Sequence, residues 1–123
     1  MHLTRLSDPY AVCRAAADAP VPTGILDGPG FRTVARTADE LSVVAPEADI
    51  TGMDRVDTGW TAFKLHGPFA FDEVGIVGGL SKALAEREIG IFVVSTFDTD
   101  YILVKDPDGA AEAWRDQGHE VTG

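Results

Sequence analysis

Cysteine is nearly absent from this chain. Cys13 stands alone among 123 residues, so no internal disulfide can form, which fits a reducing compartment. Cations are scarce as well: ten Lys and Arg face twenty Asp and Glu, for a formal net charge of -10. Such a surface repels phosphates and anionic headgroups, so nucleic acid and membranes are not expected partners. No apolar run approaches the ~20 residues of a membrane span. The opening MHLTRLSDPY lacks the apolar core of a signal peptide, and a cytoplasmic protein is expected. The only imidazoles, His2, His66 and His119, lie far apart in sequence, and no Cys and His cluster has metal-ligand spacing. Ser81-Lys82 in GGLSK lacks the G-x-x-x-x-G-K-S/T spacing of a phosphate loop. Neither a metal nor a cofactor is expected.

What is present has a clear pattern in the second half. Hydrophobic residues make up 45% and charged residues 24%, the profile of a globular protein. WTAFKLHG alternates Thr61, Phe63 and Leu65 against Ala62, Lys64 and His66, which predicts a strand. Val74, Val77, Leu80 and Leu84 recur at helical steps, with Ala83 and Ala85 beside them and Asp72 as the expected N-cap. IGIFVVST and YILVK read as buried strands around a short polar knot, Asp98-Thr99-Asp100. Asp106-Pro107 reads as N-cap and first residue of a second helix with Ala110, Ala111 and Trp114 on its apolar face, ended by Gly118. A final HEV edge strand completes a split β-α-β pattern of the ferredoxin-like kind.

The first half is a weaker copy. YAVCR alternates as a strand, which makes Cys13 a buried, inert thiol. FRTVART and ELSVVA read as two strands joined by a turn at Ala38-Asp39. VARTADELSVV aligns loosely with VSTFDTDYILV, placing Val34, Asp39 and Val44 opposite Val94, Thr99 and Val104. Asp18 precedes Gly24-Ile25 much as Asp72 precedes Gly75-Ile76. A decayed duplication is the simplest reading. APVPTGILDGPG is too rich in Pro and Gly for a long helix, so the helices of the first copy are expected to be short or lost. The join is placed near the polar GMDRVDTG. Halves of about 60 residues are marginal alone, so one shared core is expected. The chain thus divides into an N-terminal unit over 1–57 and a C-terminal unit over 58–123.

FDEVGIVGGLSKALAEREIGIFVVSTFDTDYILVK resembles the first helix and the strands of ACT domains, with STFDTDY the most specific part. The whole chain is similar to small bacterial proteins of two tandem ACT-like units, related to aspartate kinase regulatory domains and to the arginine-sensing CASTOR proteins. The resemblance implies an α+β fold of two ferredoxin-like (ACT) units, antiparallel sheets with helices on one face, the N-terminal unit degenerate. Two departures stand out. ACT domains often have Pro-Gly where this chain has Val74-Gly75. Their first helix often closes at Gly, where this chain has Glu88 followed by Gly90. A non-Gly residue in a left-handed cap costs on the order of 1 kcal/mol, so a shifted helix end or a different closure is expected here.

Two segments are the candidate ligand site. The first is the loop HGPFAFDEVGI, with Gly67, Phe69, Asp72, Val74, Gly75 and Ile76; N–H groups at a helix start favour a carboxylate, and Gly75 permits close approach. Its bland alternative is an N-cap at Asp72 and relief of crowding at Gly75. The second is Thr96, Phe97, Asp98, Thr99 and Asp100, which form an ordinary turn or a turn whose carboxylates grip an ammonium or guanidinium. The resemblance implies effector contacts in both. The resulting expectation is a non-enzymatic, amino-acid-binding regulatory homodimer, whose open sheet edges would be paired across a two-fold axis. The rivals are an interaction and assembly module with a decayed ligand site, and a small enzyme using Asp98 and Asp100 in a cleft.

Overall fold

A computed structural model of the protein describes residues 1–66 and 75–123. The described elements are β1 (His2–Ala15), β2 (Thr33–Arg36), β3 (Leu41–Pro46), a 3-10 turn (Glu47–Asp49), β4 (Arg55–Leu65), α1 (Ile76–Ala85), β5 (Phe92–Ser95), β6 (Asp100–Val104), α2 (Pro107–Asp116) and β7 (Glu120–Thr122). They form two compact units. One comprises Met1–Ser7 and Thr61–Gly123, the other Asp8–Trp60, so β1 and β4 each contribute residues to both. Among the described residues no helix is long and apolar enough to cross a membrane.

The unit built on Thr61–Gly123 is α+β, with strand order β7-β1-β4-β6-β5. β4 pairs antiparallel with β6, with Phe63 opposite Ile102, and β6 pairs antiparallel with β5, with Ile102 opposite Val93. Phe63, Leu65, Ile102 and Val104 therefore share one face, as the period of two predicts. They pack with Leu3, Val121, Leu80, Leu84, Ala110 and Trp114, so both helices cover that same face. Trp114 is fully buried, stands edge-on to Phe63 with ring centroids 5.0 Å apart, and donates from Nε1 to the Leu80 carbonyl at 3.1 Å. That bond satisfies the one polar atom of a large core side chain.

Strand β1 is the element that the sequence reading gave only in part. YAVCR is its second half; its first half, His2–Ser7, lies between β4 and β7 and pairs parallel with β7, Leu3 opposite Val121. The expected all-antiparallel sheet thus contains one parallel pair. Asp8-Pro9 conceals the strand, because Pro within a run normally marks a break. GMDRVDTG likewise proves to be strand from Arg55 onward, with Gly59 at φ +84° inside β4. Glycine is suited to that left-handed backbone, which other residues adopt only with strain.

The helices differ from expectation in detail. The buried stripe of α1 is Leu80, Ala83 and Leu84 with Ile76 packed beside it; Ala85 is exposed and Val77 is outside the core. Its C-terminus does use the left-handed closure that Glu88 made unexpected. Glu88 has φ +59°, its N–H donates to the Ala85 carbonyl and that of Ile89 to the Leu84 carbonyl, both at 3.0 Å. Ile89 then packs against the core, and this apolar contact offsets the cost of a side chain at that position. Helix α2 follows the sequence: the Asp106 side chain accepts from the Gly109 N–H at 3.0 Å, Pro107 opens the helix, and Gly118 turns the chain at φ +90°.

The unit over Asp8–Trp60 has strand order β2-β3-β1-β4 and a second, separate apolar cluster, so the single shared core is replaced by one core in each unit. Ala15, Cys13 and Ala11 face Leu41, Val43 and Ala45 across β1 and β3. Among the described residues no α-helix covers them. The segment after β1 forms turns instead and lays Ile25 on the sheet. Arg32 holds this segment: its side chain, only 6% exposed, donates to the Pro29 and Ile25 carbonyls at 3.0 Å and pairs with Asp49 at 2.6 Å. Arg36 donates to the carbonyls of Ala17 and Ala19. Two arginines thus replace a helix as the scaffold of this unit.

Candidate functional site

The hairpin between β5 and β6 is built on register. Ser95 lies opposite Asp100, which leaves Thr96 opposite Thr99 and places Phe97 and Asp98 at the tip. The Thr96 N–H donates to the Thr99 carbonyl at 2.8 Å, and the Thr96 hydroxyl donates to the same oxygen at 3.1 Å. The β2–β3 hairpin closes with the same bond, from the Thr37 N–H to the Glu40 carbonyl at 2.9 Å. Matching the two bonds sets Asp39 against Asp98, one place from the alignment read in the sequence.

Each residue of the hairpin has a distinct placement. Phe97 is 79% exposed, and Asp98 is exposed beside it. Asp100 begins β6 and accepts a hydrogen bond from the Ser95 hydroxyl through Oδ1. Thr99 is buried, and its hydroxyl donates to the Leu65 carbonyl at 2.5 Å. Leu65 is the last residue of β4, immediately before the segment expected to form the other half of the site. The hairpin and the end of β4 are therefore brought together by one buried bond.

Gly75 is the N-cap of α1, with φ +80° and ψ -1°. Its carbonyl accepts the first helical bond, from Gly79 at 2.9 Å, and α1 has no side-chain cap among the described residues. The left-handed backbone accounts for glycine here. Among the described residues a Cβ at Gly75 would meet nothing within 4 Å, and the same holds at Gly78 and Gly79. Ile76 packs its side chain against the core and leaves its backbone N–H in the first turn, where helices have no internal acceptor. Gly67, Phe69, Asp72 and Val74, including the expected cap at Asp72, lie outside the described residues.

A polar cluster that sequence reasoning missed lies at the same end of β4. The rings of His2 and His66 stack with centroids 4.0 Å apart and an interplanar angle of 5°. His2 bonds Thr122 at 2.8 Å, His66 bonds Thr4, and the two threonine hydroxyls are 3.3 Å apart. No signal in the sequence joins residues so distant; the β7-β1-β4 order does. His119 is held below the ordinary imidazole range by burial and by the positive α-amino group at Met1, and its Nδ1 is buried without a partner among the described residues. Cys13 is buried, and its thiol is pushed up by desolvation and then by the charge of Asp57. Among the described residues no three His, Cys, Asp or Glu side chains converge as metal ligands would.

Similarity to known proteins agrees with this architecture. A model of the ACT domain matches residues 55–110, and a model of an N-terminal domain matches residues 8–52. Protein Atu0741 from Agrobacterium tumefaciens is 42% identical, with 99% of this chain and 92% of that chain covered and a TM-score of 0.89. The aspartokinase alpha and beta subunits share the fold at 16% identity, covering 94% of this chain and 96% of that chain, TM-score 0.64. Clostridium acetobutylicum aspartate kinase does so at 15% identity, covering 90% of this chain and 33% of that chain, TM-score 0.63. No curated protein matches the chain. The chain belongs to the ACT-domain family.

Proposed function

We propose that the protein is a non-enzymatic regulatory module that binds a free amino acid. The observation that carries this reading is the Thr99–Leu65 bond, which fixes the acidic hairpin against the end of β4. The hairpin offers Asp98 and Asp100 to an ammonium, and the first turn of α1 offers N–H groups to a carboxylate. Among the described residues nothing crowds the glycines at 75, 78 and 79 of that turn, which is in keeping with close approach of a ligand. Clostridium acetobutylicum aspartate kinase, which shares the fold, is described as an allosteric enzyme, and a regulatory role is in keeping with that likeness. The module is read as a cytoplasmic homodimer in which the short edge strand β5 pairs with its copy. Calorimetric titration with each of the twenty amino acids tests the reading. Saturable binding that Asp98→Asn and Asp100→Asn weaken supports it, and no heat with any of them contradicts it.

One observation favours a second reading, an assembly module with a decayed ligand site. Phe97 is a large apolar side chain held out at the hairpin tip, as an anchor for another protein would be. Silence toward every amino acid combined with loss of self-association in Phe97→Ser would select it.

A further inference from the structure

A groove of about 480 Å³ opens between α2 and the first half of β1, beside β7. Its volume lies within the range of small-molecule sites, ~300–1,000 Å³. Phe63, Ala111 and Val121 form an apolar base, all three buried. Arg5 and Arg115 stand over it as cations, facing Asp108 and two further carboxylates of α2.

The charges do not cancel evenly. Glu112 and Asp116 both pair with Arg87, at 3.4 and 2.5 Å. Arg5 pairs with Asp108 at 3.0 Å, but that carboxylate is 92% exposed. Exposed ion pairs of this kind are weak, so another carboxylate can replace Asp108 at little cost. Arg115 has no carboxylate within 4.0 Å among the described residues and donates only to the Val121 carbonyl, at 2.9 Å. The groove is thus lined by two cations and three carboxylates, two of them held by Arg87, and Arg115 is left as the cation with no described carboxylate beside it over an apolar base.

We infer that this groove is a second ligand site, which takes a small carboxylate with an apolar body. The carboxylate lies between Arg115 and Arg5, and the body lies on Phe63, Ala111 and Val121. None of its lining residues lies in the hairpin over 96–100, and its failure would leave the reading proposed above intact. Phenylacetate and hexanoate are the probes, with benzylamine as the control of opposite charge. Amide chemical shifts in the 15N-labelled protein report both place and affinity. The expected result is saturable shifts with both carboxylates at Ala111, Arg115 and Val121, none there with benzylamine, and an undisturbed hairpin over 96–100. Arg115→Gln should weaken binding by about tenfold or more, since it removes a charged hydrogen-bond donor. Asp108→Asn frees Arg5 and should tighten it, a gain that loss of folding cannot mimic. Absence of shifts in the groove, equal response to benzylamine, or weaker binding by Asp108→Asn would each overturn the assignment.

Discussion

The Thr99 hydroxyl donates to the Leu65 carbonyl at 2.5 Å from a buried position, tying two segments 34 residues apart. Removing the hydroxyl would leave the carbonyl at the end of β4 buried without its partner, which costs about 1–3 kcal/mol. Thr99→Val should lose stability of that order in urea unfolding, and Thr99→Ser should recover most of it. Equal stability in all three proteins would show that the bond is unimportant.

Glu88 occupies a left-handed cap where glycine is at ease. Glu88→Gly should stabilise the fold by about 1 kcal/mol, through relief of backbone strain. The gain is read as a higher urea midpoint at unchanged slope. A lower midpoint would mean that the Glu88 side chain has a favourable role the backbone does not reveal.

Gly75 sits at φ +80° with nothing near a Cβ among the described residues, so backbone strain governs the expected cost of its substitutions. Gly75→Ala should cost about 1–2 kcal/mol, and Gly75→Asn less, because Asn tolerates that conformation. Thermal melts of the two variants give the order. Gly75→Asp is likewise expected to lose stability, and not to melt as the parent does. By contrast Gly79, exposed in the first turn of α1 with nothing near a Cβ among the described residues, should gain up to about 1 kcal/mol as Ala.

Two groups link stability to pH. The folded state holds His119 below its ordinary value, so the unfolded chain takes up that proton first as pH falls. Its contribution is complete above about pH 6.5, the unfolded imidazole value, and is lost on acidification toward the lower folded value. His119→Gln should lose less stability than the parent between pH 7 and 5. Cys13 has the opposite sign: its folded value is raised, so its contribution is intact below the ordinary thiol value and is lost as pH rises from there toward the higher folded value. In the folded protein Cys13 should react with a thiol reagent only through unfolding, which kinetics in urea would measure.

Much of the unit over 61–123 was legible because local signals agreed with tertiary demands. The alternation around Phe63, the Asp106-Pro107 start of α2 and the β-branched run of β5 each carry their own evidence. The first half of β1 was not legible, since Asp8-Pro9 reads as a break and its partners are more than 60 residues away. The Glu88 closure was hidden for a different reason: the motif is recognised by glycine, and here the apolar contact of Ile89 accompanies it without one. The position of the hairpin could be read from the polar knot, but its tip fell one residue earlier, at Phe97-Asp98. Thr99 looked like part of a turn, and only the fold of β4 gives its hydroxyl a purpose. Arg32 and Arg36 looked like ordinary surface cations, because carbonyl acceptors carry no sequence signature.

Thermal melting of the unmodified protein against each free amino acid at millimolar concentration tests amino-acid binding most directly. A ligand at 100 times its dissociation constant adds about 2.7 kcal/mol, or roughly 10 °C in Tm for a chain of this length. At least one amino acid is expected to produce a concentration-dependent rise of that order, abolished by changes in the hairpin. A Tm that stays constant across all twenty would contradict the proposed function.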